Sequence, residues 1–170
     1  MNAAALLLAQ GLGLGRLPGA PGTYGSVLGL VWVAVLLAPA NGLLYFLGTL
    51  AGLGLSVALS SYAERRLQQK DPPSVVLDEI TALPVCWFGP QGLELVRHGH
   101  ALRWETLWAD GGWVWTLAGF AAFRLFDIWK PWPVRQSQRL PGGWGVTVDD
   151  ALAAVYVSSV WLVGLLASGR

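Results

Sequence analysis

The sequence predicts an all-α polytopic membrane protein, a bundle of about five apolar helices with active-site loops gathered at one membrane face. Three observations carry that expectation. Of the 170 residues 54% are hydrophobic and only 12% charged, about half the ~25% of an ordinary soluble domain. No charged residue stands between Arg16 and Glu64, and a second uncharged run extends from Ala151 to Gly169. Uninterrupted stretches of this kind suit bilayer-spanning helices, which need about 20 apolar residues. Finally, seven of the ten tryptophans bracket one apolar run: Trp104, Trp108, Trp113 and Trp115 near its start, Trp129, Trp132 and Trp144 after its end. Indole, apolar with one N–H donor, favours the headgroup region. The length fits one domain over residues 1–170. A net charge of +1 gives no field for nucleic acid. The single cysteine, Cys86, excludes an internal disulfide, and no Cys/His cluster of zinc spacing exists.

The runs follow in order. Ser26 to Ala38 ends at the turn signal Pro39-Ala40-Asn41-Gly42. Gly42 to Ala63 supplies 22 uncharged residues, so the first two runs read as a helical hairpin. Ile80 to Leu93 is interrupted by Pro84 and Gly89-Pro90 and reads as a kinked span or a half-dipping helix. The fourth run goes from about Thr106 to Phe126 and the fifth from Asp149 to Ser168. Arg65, Arg66 and Lys70 follow the second run; Arg124, Lys130, Arg135 and Arg139 follow the fourth. The positive-inside rule places those loops and the N-terminus in the cytoplasm, with His98 and His100 outside. No positive charge precedes Leu6-Leu7-Leu8, so the start does not read as a signal peptide.

With that topology the acids fall on one side. Asp78 and Glu79 open the third run, Asp127 closes the fourth, and Asp149 with Asp150 opens the fifth. Five acids at one interface repel unless a cation sits among them, and oxygen-only ligands suit Mg²⁺. Plainer readings compete. Asp149 and Asp150 in a first helical turn would complement the macrodipole, and Thr147 with Asp150 fits a capping box. Ser74 is a candidate cap for the third run, and Arg124 can simply pair with Asp127. The stretch Leu17 to Ser26 has glycines that let backbone N–H groups approach an anion, with hydroxyls on Thr23 and Ser26, but it lacks a P-loop lysine and reads equally as a turn.

Pro21-Gly-Thr-Tyr-Gly-Ser26, Leu77-Asp-Glu79, Phe123-Arg-Leu-Phe-Asp127-Ile-Trp-Lys130-Pro-Trp-Pro133, Gly142-Gly-Trp-Gly145 and Asp149-Asp150 together closely resemble the motif series of the phosphatidylglycerophosphatase A family, in order and spacing, from about Gly13 to the fifth run. Ala82 and Ala154 stand where that family usually has glycine. The resemblance implies a Mg²⁺-dependent phosphatase of the bacterial inner membrane, acting on phosphatidylglycerophosphate at the cytoplasmic face. On that reading Asp78, Glu79, Asp127, Asp149 and Asp150 bind the metal and activate water, with Glu79, Asp127 and Asp150 at the centre. Arg124 and Lys130 neutralise the phosphate, and Thr23 and Ser26 hold its oxygens. Other phosphatase chemistries lack their signatures: six residues after Cys86 stands Gly92 rather than arginine, and neither a DxDx[TV] nor an SGH motif occurs. A Mg²⁺-dependent headgroup transferase, whose DGxxAR…GxxxDxxxD arrangement is missing, and a non-catalytic membrane scaffold are the alternatives.

Overall fold

A computed structural model describes residues 3–168, which form helices and turns with no strand among them. The helices are α1 (Ala3–Ala9), α2 (Pro21–Leu37), α3 (Gly42–Leu67), α4 (Leu77–Ala82), α5 (Phe88–His98), α6 (Gly112–Trp129), α7 (Val134–Ser137) and α8 (Gly143–Ala167). The first two runs do form a hairpin, and the turn between them ends where the Asn41 side chain accepts a hydrogen bond from Leu44 N–H at 3.0 Å, capping α3.

Helices α3 and α8 pack antiparallel through small polar residues. Ser56 and Thr147 share a hydrogen bond of 2.9 Å, and Ser61 Oγ accepts from Gly143 N–H at 2.8 Å. At the far end of α3, Gly42 lies against Gln91 and Leu95 of α5, while Gly89 lies against Ser158 and Leu162 of α8. The segment Leu77–His98 therefore lies between α3 and α8. It breaks into a 3₁₀ stretch, Leu83–Trp87, and Ile80 through Trp87 are all buried. Protein encloses the break, and the Tyr45 hydroxyl donates to the Pro84 carbonyl at 2.7 Å inside it. The core gathers around this segment, with Val33, Leu37, Tyr45, Phe123 and Val157 packed on it. Ala82 and Ala154 belong to the same core and are fully buried.

The exterior is apolar. Val27, Val31 and Val35 on α2, Leu43, Leu47 and Leu50 on α3, and Val160 and Val163 on α8 are each more than half exposed. Two helices, α3 and α8, are long and apolar enough to cross a membrane, with only 33% and 28% of their apolar windows buried in the protein. A soluble core helix of that composition would be mostly buried. The expectation of about five such helices is thus met by two among the described residues. Helix α2 has 17 residues, α6 carries Arg124 and Asp127 within its 18, and the third run is split.

Two boundaries differ from the sequence reading. The fourth run becomes helical only at Gly112, because Asp110 and Gly111 take φ of 50° and 84°, which ends any helical continuation from Trp104–Leu107. The fifth begins at Gly143, six residues before Asp149. The two tryptophan groups lie toward opposite ends of α6, a helix about 27 Å long at 1.5 Å per residue, and all seven rings are exposed.

Candidate active site

The acids assemble where α4, α6 and α8 meet the start of α2. Helix α4 enters after Val76, whose N–H donates to the Ala9 carbonyl at 3.0 Å. Ser74 does not cap it: its hydroxyl accepts from the Gln10 amide at 3.0 Å. The first turn of α4 carries Asp78 and Glu79 inward, made possible by glycines on α2. A Cβ at Gly25 would meet Val76 Cβ at 2.8 Å, and one at Gly22 would overlap the Glu79 carboxylate and meet both terminal nitrogens of Arg124 at 3.1 Å. Pro21 to Ser26 is accordingly the first part of a helix rather than an anion-cradling loop. Its glycines admit α4 and Arg124. Ser26 is fully buried and its hydroxyl donates to the Gly22 carbonyl at 2.8 Å, so it does not face a ligand. Thr23 sits in the first turn of α2, partly exposed.

Asp149 and Asp150 are buried in the third turn of α8. The residue before the helix is Gly142 with no side-chain cap, and Thr147 bonds Ser56, so both capping explanations fall. One oxygen each of Asp78, Glu79 and Asp150 lies within 4.8 Å of the others. Asp78 Oδ1 and Glu79 Oε2 are buried with no hydrogen-bond partner. Asp127, placed by the sequence reading at the centre, is instead held by the cations: Arg124 Nη1 donates to Asp127 Oδ2 at 2.7 Å and lies 3.9 Å from Glu79 Oε1, while Lys130 pairs with Asp149 and stands 3.5 Å from Asp127 Oδ1. The plain Arg124–Asp127 pair therefore exists, and it is part of the cluster rather than an alternative to it. Lys130 follows the last residue of α6 with φ of 48°. Burial alone would lower its pKa, but the Asp149 carboxylate, with Asp150 and Asp127 behind it, outweighs that and holds the ammonium above the ordinary lysine range.

Five carboxylates thus face two cations. Buried anions are tolerated only when paired, and the unpartnered oxygens of Asp78 and Glu79 are among the groups left without compensation, with the Asp150 carboxylate beside them. Oxygen donors of this kind fit a small divalent cation that keeps waters for its remaining positions. One contributor escaped the sequence reading. Asp71, at φ of 48°, is fixed by its N–H donating to Glu64 Oε1 at 2.9 Å, and burial pushes its carboxyl above the usual range, opposed by the charge of Lys130 and reinforced by those of Glu64 and Asp127. The motif Lys-Asp-Pro-Pro reads as a turn and gives no sign of that placement. Cys86 is fully buried, away from any nucleophilic role, and His98 and His100 stack on each other at the far end.

Fold and site together define an all-α protein with an apolar exterior and a buried cluster of carboxylates, arginine and lysine at one end. The chain belongs to the phosphatidylglycerophosphatase A family, whose model matches residues 7–165. It is 32% identical to phosphatidylglycerophosphatase A of Escherichia coli over 94% of this chain and 87% of that protein. The identity to the Haemophilus influenzae phosphatidylglycerophosphatase A is also 32%, over 88% and 82% of the two chains. A Bacteroides thetaiotaomicron protein provisionally described as a phosphatidylinositol-3-phosphatase is 32% identical over 94% and 95%. No solved structure matches the chain. Membership of this family makes the protein a phosphatase of phosphate monoesters, which removes the scaffold reading.

Proposed function

We propose that this protein hydrolyses the terminal phosphate monoester of phosphatidylglycerophosphate, giving phosphatidylglycerol and inorganic phosphate for phospholipid synthesis, with Mg²⁺, at the cytoplasmic face of the bacterial inner membrane. The observation that carries the reading is the pair of buried, unpartnered oxygens on Asp78 and Glu79 beside Asp150, with Arg124 and Lys130 next to them. The names of the E. coli and H. influenzae relatives supply the substrate. Asp78, Glu79 and Asp150 would hold Mg²⁺, which when bound supplies a Lewis acid for a phosphoryl oxygen and acidifies water.

The chain's own groups do the rest. Arg124 and Lys130 present N–H donors to the equatorial phosphate oxygens, where charge accumulates as the bond to the leaving oxygen breaks. Asp127 and Asp149 hold those two side chains in place. A water oxygen forms the new bond to phosphorus and its proton passes to a carboxylate of the cluster; the bond to the glycerol oxygen breaks and that oxygen takes up a proton. Thr23, at the partly exposed start of α2, is placed to donate a hydroxyl, whereas Ser26 is not. An apolar exterior suits a substrate whose acyl chains stay in lipid, and a cytoplasmic face is supported by the Lys and Arg excess at the C-terminal end of α3 (Arg65, Arg66) and in the stretch before α8 (Lys130, Arg135, Arg139).

The test is phosphate release by purified protein in detergent micelles of phosphatidylglycerophosphate. Release with Mg²⁺ that stops in excess EDTA is the expected result. Absence of release from folded protein with Mg²⁺, or preferential release from phosphatidylinositol 3-phosphate, would overturn the substrate assignment.

A further inference from the structure

Phosphatidylglycerophosphate carries two phosphates: the monoester that is cleaved and, across the glycerol, a phosphodiester that stays with the lipid. The acidic site accounts for the first alone. Beside it opens a cleft of about 430 Å³ whose walls include Glu64, Arg65, Lys70, Arg139, Leu140 and Gly142. Three cations there face one carboxylate, and Glu64 is already engaged by the Asp71 N–H. Among the described residues no carboxylate lies within ion-pair distance of Arg65 or Arg139. Lys70 Nζ donates to the Gln138 carbonyl at 2.9 Å, tying the loop after α3 to the turn that carries Arg139.

Cleft and acidic site adjoin. Asp71, next to Lys70, lies within electrostatic reach of Lys130 and Asp127, and Gly145, in the first turn of the helix that bears Asp149 and Asp150, lies against the Gln138 and Leu140 carbonyls. Leu140, in the cleft wall, and Trp144, one residue into α8, are exposed at 41% and 56%. A larger cleft of about 610 Å³ beside α1 offers one cation, Arg16, whose Nε is committed to the Gln10 side chain at 2.7 Å.

We propose that Arg139, flanked by Arg65 and Lys70, holds the phosphodiester of the lipid while the terminal phosphate lies at the acids, so that this cleft selects a lipid with two phosphates over one with a single phosphate. The inference rests on the function proposed above. An arginine suits the role because its planar fork grips two oxygens of one phosphate. Leu140 and Trp144 then give the acyl chains an apolar path outward.

The experiment compares the full-length protein with Arg139→Gln in neutral-detergent micelles with Mg²⁺. On phosphatidylglycerophosphate the variant is expected to raise KM about tenfold with kcat within about twofold, the loss of one charge-assisted hydrogen bond made equally in ground and transition states. Phosphatidylglycerol keeps the diester and lacks the monoester, so its inhibition constant rises by the same factor, while that of inorganic phosphate does not move. Arg139→Lys falls between, and Arg97→Gln at the opposite end changes neither. A fall in kcat at unchanged KM, an equal rise for inorganic phosphate, or no change at all in Arg139→Gln would overturn the inference alone. Wild-type protein that releases no phosphate from this lipid would remove the functional reading, and the inference with it.

Discussion

Gly22 separates the chemistry of the site from the stability of the fold. A methyl group there would overlap the Glu79 carboxylate and press both terminal nitrogens of Arg124, where ordinary contact begins at 3.4 Å. These neighbours are ends of flexible side chains, so they yield and the backbone does not. The shift required is about 1 Å, and displacement of that size at a reacting centre costs on the order of 10²-fold in rate, or about 2.7 kcal/mol of barrier. Alanine's advantage over glycine in a helix, up to about 1 kcal/mol, acts in the opposite direction on stability. Gly22→Ala is therefore expected to keep or slightly raise the thermal midpoint in detergent while kcat for phosphate release falls about a hundredfold. Unchanged kcat would refute the close approach of α2, Glu79 and Arg124. A midpoint that collapses together with activity would show that the glycine serves the fold instead.

Further expectations follow from the same geometry. Asp150→Asn should lower kcat by about 10²–10³ and weaken activation by Mg²⁺ in a titration of phosphate release, with normal membrane insertion. Lys130→Met strands buried Asp149 and should lower stability by about 3 kcal/mol, read as the denaturation midpoint; Lys130→Met with Asp149→Asn should recover most of the stability and none of the activity. Because Lys130 has its pKa raised in the folded state, its contribution is complete below about pH 10, the unfolded lysine value, and is lost only as pH climbs through the raised value. The stability difference between wild type and Lys130→Met should accordingly be flat from pH 7 to about 9.5. Thr147→Val removes the hydrogen bond to Ser56 and should cost about 0.6 kcal/mol, the average for such bonds between membrane helices, with activity retained.

Much of this molecule is legible in its sequence, and the rest is hidden for identifiable reasons. The uncharged runs gave the hairpin of α2 and α3 because the turn signal at Pro39–Gly42 is local. The start of α8 was misplaced because its first turns are glycine-rich and look like a loop. That error made Asp149 and Asp150 resemble caps, when they lie deep in the helix. The five acids, Arg124 and Lys130 were readable as motif residues, and they do come together. Their grouping was not readable: that Asp78 joins Glu79 and Asp150 while Asp127 is held by Arg124 and Lys130 depends on how α4 packs against Gly22 and Gly25, a packing detail with no one-dimensional trace. Asp71 was missed for a similar reason, since only the fold returns the loop after α3 to Lys130.

The central segment has a consequence for how the chain is made. Asp78 and Glu79 leave the ribosome well before Arg124, Lys130 and Asp150 exist. At about 5–20 residues per second the last of these follows roughly 4–14 s later. During that interval the two acids have neither their cationic neighbours nor the α8 surface that encloses them. The broken segment between Leu77 and His98 accordingly completes its enclosure only once α8, which packs on it, has been made.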